Sequence, residues 1–260
     1  MAVVDSWDPD QYSRFGAERS RPFYDLEAMV KPLSGGRAVD LGCGTGELTV
    51  ALHRAIKARQ SIGLDGSEAM LAKSAQFAGL GLSFELADIG TFAPDEPFDL
   101  VFSNAALQWL PAHETLFPRL AGFVAPEGQF AVQIPANHDH PSHLLAHELA
   151  ATEPYASALE GYVRTVPVMD VAWYAQMLHH SGFGRQTVQM NVYPHYLKSR
   201  EGVVEWCKGT LLTDYQRRLS PELFEQYLAD YSDRLLPMLE DSSPYFYAFK
   251  RILMWGRKDG

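Results

Sequence analysis

The stretch Val39-Asp40-Leu41-Gly42-Cys43-Gly44-Thr45-Gly46-Glu47 sets three alternating glycines between an apolar run and an amphipathic one. Arg37–Leu41 predicts a strand and Thr45–Lys57 a helix. Glycines between them let the backbone turn sharply and approach a ligand with no Cβ in the way. One reading is a tight strand-to-helix turn that binds nothing. The other is a nucleotide loop. A dinucleotide loop wants Gly-x-Gly-x-x-Gly, with a pyrophosphate on the helix N-terminus. Here Glu47 stands where the third glycine belongs. A carboxylate in the first helical turn would repel a pyrophosphate, so the ligand that fits carries no phosphate.

Outward from this loop, short apolar runs alternate with longer amphipathic ones. Strands are predicted at 61–64, 82–86, 98–102 and 128–134, and helices at 67–77 and 113–123, with Ser67 as an N-cap. Strands alternating with helices mean βαβ units and a parallel sheet, with helices on both faces. Residues 10–30 have helical spacing, with Tyr12, Phe15, Phe23, Leu26 and Val30 on one side. Arg14, Glu18, Arg19 and Arg21 cluster before Pro22. After Pro135 the pattern changes. Residues 136–182 read as mostly helical, 187–196 as a strand, 199–239 as two or three helices and 246–257 as a last strand. The expected fold is α/β: a Rossmann-like, seven-stranded, mostly parallel sheet with helices on both faces and a helical cap. Residues 1–35 form an N-terminal helical lid in this reading. Residues 36–135 form the core, and 136–260 the cap insertions plus the last strands.

Three further features stand at strand ends. Asp65 follows the loop by 19 residues, a distance at which an acid accepts ribose hydroxyls. The bland alternative is a turn acid before Gly66-Ser67. Asp88-Ile89 ends the third strand, where a carboxylate reaches an adenine amino group or, again, only shapes a turn. Ser103-Asn104-Ala-Ala-Leu-Gln108-Trp109 follows the fourth strand, in the crevice where open α/β sheets bind ligands. Trp109 alone would more often be core.

Composition bounds the function. The 260 residues carry 47% hydrophobic and 21% charged side chains, ordinary globular values. A net charge of −10 argues against a general nucleic-acid binder, though not against a local basic pocket. The two cysteines, Cys43 and Cys207, make no disulfide framework, and Cys207 reads as a buried small side chain. No run is long and apolar enough to cross a membrane. Met1–Pro9 shows no basic-then-apolar leader, so the cytoplasm is the expected compartment.

Asp40-Leu-Gly-Cys-Gly-Thr-Gly46 with Asp65, Asp88 and Asn104 resembles the class I S-adenosylmethionine (SAM)-dependent methyltransferases. The resemblance narrows with Phe15–Pro22, Asn104–Pro111, Ala131–Asn137, Pro141–His143, Val204–Thr210 and Ala248–Arg251, which look like the trans-aconitate 2-methyltransferase family. It is dense to about residue 145 and patchy afterwards. It implies SAM as cofactor, with S-adenosylhomocysteine as product and no metal. SAM carries no phosphate, so Glu47 is tolerated.

By this resemblance Tyr12, Asp40, Gly42, Cys43, Gly44, Gly46, Asp65, Gly66, Met70, Asp88, Ile89, Asn104, Gln108 and Trp109 line the cofactor. Arg19, Arg21, His143, Tyr174, Trp206 and Arg251 face the acceptor. The family's Gly-Leu-Arg-Pro is here Leu211-Leu-Thr-Asp214, which loses an arginine and gains an acid. The family's Met-Pro-Asp-Asn is Ile134-Pro-Ala-Asn137.

The implied reaction is carboxylate O-methylation of a small trans-aconitate-like acid. A carboxylate is ionised at pH 7 and needs no general base. A phenolic or heterocyclic acceptor would need one, and His138, His140 and His143 are candidates. A cofactor-binding regulator without turnover and an NAD-dependent dehydrogenase are weaker alternatives. The expected partner is a small-molecule acceptor, with no nucleic acid or membrane, for a monomer or homodimer.

Overall fold

A computed structural model describes the chain from Gly16 to Gly260, and its side chains from Ser20 onward. The first strands and helices alternate as expected: α1 Gly16–Glu27, β1 Arg37–Leu41, α2 Glu47–Ala55, β2 Gln60–Asp65, α3 Glu68–Ser74, β3 Leu82–Leu86, β4 Phe98–Asn104, α4 His113–Gly122 and β5 Val124–Pro135. Then follow α5 Pro141–Ala150, α6 Tyr155–Ala158, α7 Val171–His180, β6 Arg185–Leu197, α8 Glu201–Lys208, α9 Thr213–Arg218, α10 Pro221–Leu235 and β7 Tyr245–Arg257.

The strands form one seven-stranded sheet in the order β3-β2-β1-β4-β5-β7-β6. The pairings among β1 to β5 are parallel, and β7 runs antiparallel to β5. Parallel strands all finish at the same edge of the sheet. Geometry therefore gathers the residues after β1, β2, β3 and β4 along one row. Leu41, Leu100, Val101, Phe102, Phe130, Ala131 and Val132 are fully buried, as strands covered on both faces must be.

Element ends shift for local reasons. The helix predicted from Thr45 starts at Glu47, because Gly46 has φ +82° and no helical residue precedes it. Strand β4 runs on to Asn104 and β5 begins at Val124, both beyond the predicted limits. Ser67 caps α3 as expected, its hydroxyl accepting the Met70 N–H at 3.2 Å.

The chain divides into two compact units. The first holds residues 1–135, 167–191 and 251–260, and with them the sheet from β3 to the 251–257 half of β7. The second holds residues 136–166 and 192–250. Its interior is built on tyrosines. Tyr155, Tyr215, Tyr227, Tyr231 and Tyr247 are fully buried, and each hydroxyl finds a partner. Tyr227 donates to the Ala146 carbonyl at 2.6 Å and Tyr231 to the Ser142 carbonyl at 2.8 Å. The rings supply apolar area while the tips stay hydrogen-bonded. Cys207 is fully buried among them, as predicted. Among the described residues no helix is long and apolar enough to cross a membrane.

Candidate active site

The three loop glycines serve different ends. Gly42 has φ +83°, and a Cβ there would stand 2.2 Å from the Ala106 Cβ. Gly46 has φ +82°, and its Cβ would meet Ser74 and Phe84 at 2.7–2.8 Å. Those two are packing constraints. Gly44 has φ +57°, and a Cβ there meets nothing within 4 Å, so this side of the loop faces open space. Asp40 lies buried beneath, its Oδ2 accepting the Thr49 hydroxyl at 2.6 Å. Burial pushes the Asp40 carboxyl up to about 7; the Thr49 bond opposes this and the Asp65 charge adds to it. Cys43 is buried, and its thiol is held far above its ordinary range by burial, then by Asp40 and Asp65, so it stays unreactive. Glu47 is exposed.

Asp65 joins two neighbouring segments. Its Oδ2 accepts the Gly44 N–H at 2.8 Å and its Oδ1 the Ser67 N–H at 2.9 Å. Gly66 is exposed beside it, and Met70 is buried one turn into α3. Asp88 is exposed, with Oδ1 closing a turn on the Gly90 N–H at 2.7 Å. Ile89 sits within reach of Gly42, its Cδ1 3.9 Å from where a Cβ would stand. Arg119 on α4 pins the 89–92 turn, donating to the Ile89 carbonyl at 2.6 Å and the Phe92 carbonyl at 2.5 Å.

The row ends at β4. Ser103 donates to the Leu41 carbonyl at 2.7 Å and so ties β4 to the mouth of the glycine loop. Ala105 then takes φ +54°, and Leu107–Trp109 turns as a 3-10 helix. Trp109 is partly exposed rather than core. Gln108 donates its amide to the Ala105 carbonyl at 2.6 Å. That leaves two buried carbonyl oxygens, Asn104 Oδ1 and Gln108 Oε1, with no hydrogen-bond partner among the described residues. Buried acceptors left unmatched cost roughly 1–3 kcal/mol each, and a ligand with donors removes that cost. The open face at Gly44 and these two acceptors fit a ligand bearing an ammonium group, and the Asp65 and Asp88 carboxylates fit one bearing hydroxyls and an amino group.

The residues predicted to face an acceptor fall in both units. The Arg19 side chain, like Tyr12 of the cofactor set, lies outside the described residues. Arg21 is exposed on α1, 4.0 Å from Asp25 one turn away. Arg251 is 3% exposed on β7 and donates to Gln133 Oε1 at 3.4 Å. Tyr174 needs correcting. It is fully buried, and its hydroxyl is already engaged both as donor and as acceptor. His113 Nε2 faces the Leu107 carbonyl at 2.9 Å and must donate to it, so its Nδ1 accepts the Tyr174 hydroxyl at 2.6 Å. The Tyr174 oxygen in turn accepts the Met169 N–H at 3.2 Å. The residue anchors the 107–109 turn from behind. Trp206 is likewise a packing residue, 3% exposed against His195, Tyr247 and Phe249.

In the second unit, His140 caps α5 by accepting the Ser142 N–H on Nδ1. The Ser142 hydroxyl therefore donates to the same nitrogen at 2.8 Å and accepts from His143 Nδ1 at 3.1 Å. Burial, then His140, His147 and Arg164, push His143 down to about 3. Burial takes His140 down to about 4, and lowers His138 and His147 too. The new acid at 214 is tied up locally: Asp214 accepts the Tyr162 hydroxyl at 2.6 Å and pairs with Arg218, whose guanidinium lies 3.7 Å over the Tyr162 ring.

Gln133 and His113 were not predicted. Gln133 left one signal, a lone amide inside the apolar run Phe130-Ala-Val-Gln-Ile134.

Comparison with known proteins follows the same lines. Residues 38–128 match the family model described as a methyltransferase domain. A trans-aconitate 2-methyltransferase of Deinococcus radiodurans is 41% identical, over 95% of this chain and 96% of that protein. One of Variovorax paradoxus is 38% identical, over 97% of this chain and 98% of that protein. Among solved structures, the YcgJ protein from Bacillus subtilis superposes with a TM-score of 0.62 at 16% identity, covering 92% of this chain and 99% of that one. That last likeness speaks for the fold alone.

Proposed function

The chain belongs to the trans-aconitate 2-methyltransferase family and is a SAM-dependent methyltransferase, and from that premise we propose that it O-methylates a carboxylate of a trans-aconitate-like acid. The observation that carries this reading is the near-full-length similarity to two trans-aconitate 2-methyltransferases, at 41% and 38% identity. A base held near 3 is badly matched to a phenol or ammonium acceptor, whose proton leaves only near pH 10. A carboxylate acceptor is already ionised and asks for no base. The histidines named as candidates are therefore poor bases for a phenolic or heterocyclic acceptor.

When bound, SAM supplies a sulfonium methyl whose carbon takes a bond from a carboxylate oxygen while the sulfur keeps the old bond pair and leaves neutral. The chain's own part is binding and orientation. Asp65 takes the ribose hydroxyls, Asp88 and Ile89 hold the adenine, and Met70, Gly66 and Trp109 close around them. Asp40, the Gly44 side of the loop, Asn104 and Gln108 receive the amino-acid end. Arg19, Arg21 and Arg251 are the arginines assigned to the acceptor, because guanidinium groups match carboxylates bidentately. Holding donor and acceptor in line with water excluded is worth about 7–11 kcal/mol of barrier. We read the enzyme as cytoplasmic, and as a monomer or homodimer.

The test is incubation with methyl-labelled SAM and trans-aconitate, followed by mass spectrometry. A base-labile monomethyl ester is the expected product. No ester at saturating acceptor refutes the assignment.

A further inference from the structure

Gln133 is fully buried near the end of β5, directly opposite Asn104 on β4. Its own carbonyl accepts the Ala105 N–H at 2.9 Å, so the backbone at this point is fixed. The side chain is fixed as well. Arg251 pairs with Pro135, two residues beyond Gln133, which puts Arg251 and Gln133 on the same face of the sheet. Arg251 Nη1 lies 3.4 Å from Gln133 Oε1. A guanidinium only donates, so the amide oxygen faces it and the amide nitrogen is turned the other way. That nitrogen, Nε2, is buried with no hydrogen-bond partner among the described residues.

The strand order gives this donor its context. The cofactor-side groups occupy the ends of β3, β2, β1 and β4 in turn. β5 and β7 come next along the same edge, on the side away from Asp88. At β4 the unmatched buried atoms are acceptors, Asn104 Oδ1 and Gln108 Oε1; one strand further the unmatched atom is a donor. The polarity of the unmatched groups thus reverses between β4 and β5.

We propose that the Gln133 amide, oriented by Arg251, donates a hydrogen bond to a carboxylate of the acceptor and sets the preference for polycarboxylic acids. Arg251 bonded to the amide oxygen polarises the group and makes its N–H the stronger donor. Gln133 reads the acceptor and takes no part in bond making. The inference rests on the carboxylate methylation proposed above. The same donor chemistry also suits the carboxylate of SAM, so the test separates the two sources.

The experiment compares wild type with Gln133→Met, which keeps the length and loses the donor, and with Gln133→Glu, which answers Arg251 but repels an anion. Kinetic constants are measured for trans-aconitate and for a dicarboxylic acid lacking one carboxylate. SAM and S-adenosylhomocysteine affinities are measured by calorimetry, which also reports whether each variant is folded. Losing a hydrogen bond to a charged group predicts a KM for trans-aconitate about 10- to 100-fold higher in Gln133→Met, and higher still in Gln133→Glu. The dicarboxylic acid suffers far less, so the preference between the two collapses. SAM affinity stays within about twofold. Unchanged KM in folded variants overturns the proposal while leaving carboxylate methylation standing. Weakened SAM binding with unaltered acceptor preference reassigns the amide to the cofactor and overturns it as well. If wild type itself forms no ester, both readings fall together.

Discussion

The glycine loop after β1 and the histidine-rich segment around α5 both bring polar groups together, by opposite means. In the loop, the decisive groups are backbone. Gly42 and Gly46 allow a path that other residues cannot follow, and the N–H of Gly44 is presented to Asp65. In the histidine segment the backbone is ordinary helix, and the chemistry lies in side chains that satisfy one another: His140 to Ser142, Ser142 to His143, and His147 to Tyr215 at 3.1 Å. A site made of backbone is rigid and intolerant of added atoms. A cluster of neutral, mutually bonded side chains gives up members more cheaply.

The sharpest way to break this contrast is at Gly42. Gly42→Ala forces a methyl into Ala106 at positive φ, and strain plus overpacking amount to about 2–6 kcal/mol. Thermal melts should fall and SAM binding should be lost. Gly44→Ala meets open space and costs only about 1–2 kcal/mol for its left-handed conformation. Equal effects at the two positions would refute the division of labour within the loop.

Tyr174→Phe comes next. It strips His113 Nδ1 and the Met169 N–H of their partner, and should cost about 1–3 kcal/mol in chemical denaturation. A change in acceptor KM with no change in stability would restore Tyr174 to the pocket.

Asp40 supplies a pH signature. Its folded carboxyl keeps a proton up to about 7, whereas the unfolded chain releases it near 3.8. Between those values the folded state binds the extra proton, so rising pH costs the unliganded protein stability. A cationic ligand reverses the preference. SAM affinity should rise with pH up to about 7 and then level off, and Asp40→Asn should flatten the curve in a calorimetric titration. The smallest effect is expected at His143. Loss of a working general base costs about 100- to 10,000-fold, so His143→Asn should lower kcat by much less than that, and the kcat profile should stay flat from neutral to mildly alkaline pH.

What could be read from the chain beforehand follows the same contrast. The strand ends were legible because their signals are local: an apolar run stops at Asp65 or Asn104, and Ser67 announces a helix two residues after an acid. Parallel topology then converts those local signals into one row without further information. Tyr174 and Gln133 were not legible. The meaning of Tyr174 depends on His113, 61 residues away, and that of Gln133 on Arg251, 118 residues away. A tyrosine in an apolar helix looks the same whether its hydroxyl meets a ligand or a buried imidazole. The histidines were visible as a group, but their low basicity comes first from burial, which no spacing announces.

The Asp65 carboxylate has a consequence for how the cofactor arrives. It grips both Gly44 and Ser67, so in the proposed role the two segments that would flank the ribose are braced by the fold itself. In the role proposed for it the carboxylate is a placeholder, and docking would be an exchange in which ribose hydroxyls compete with a backbone amide for the same oxygen. Such an exchange releases little net heat and orders little new chain. Entry of the cofactor then resembles a key turning in a lock already set, with most of the ordering cost met when the chain folded.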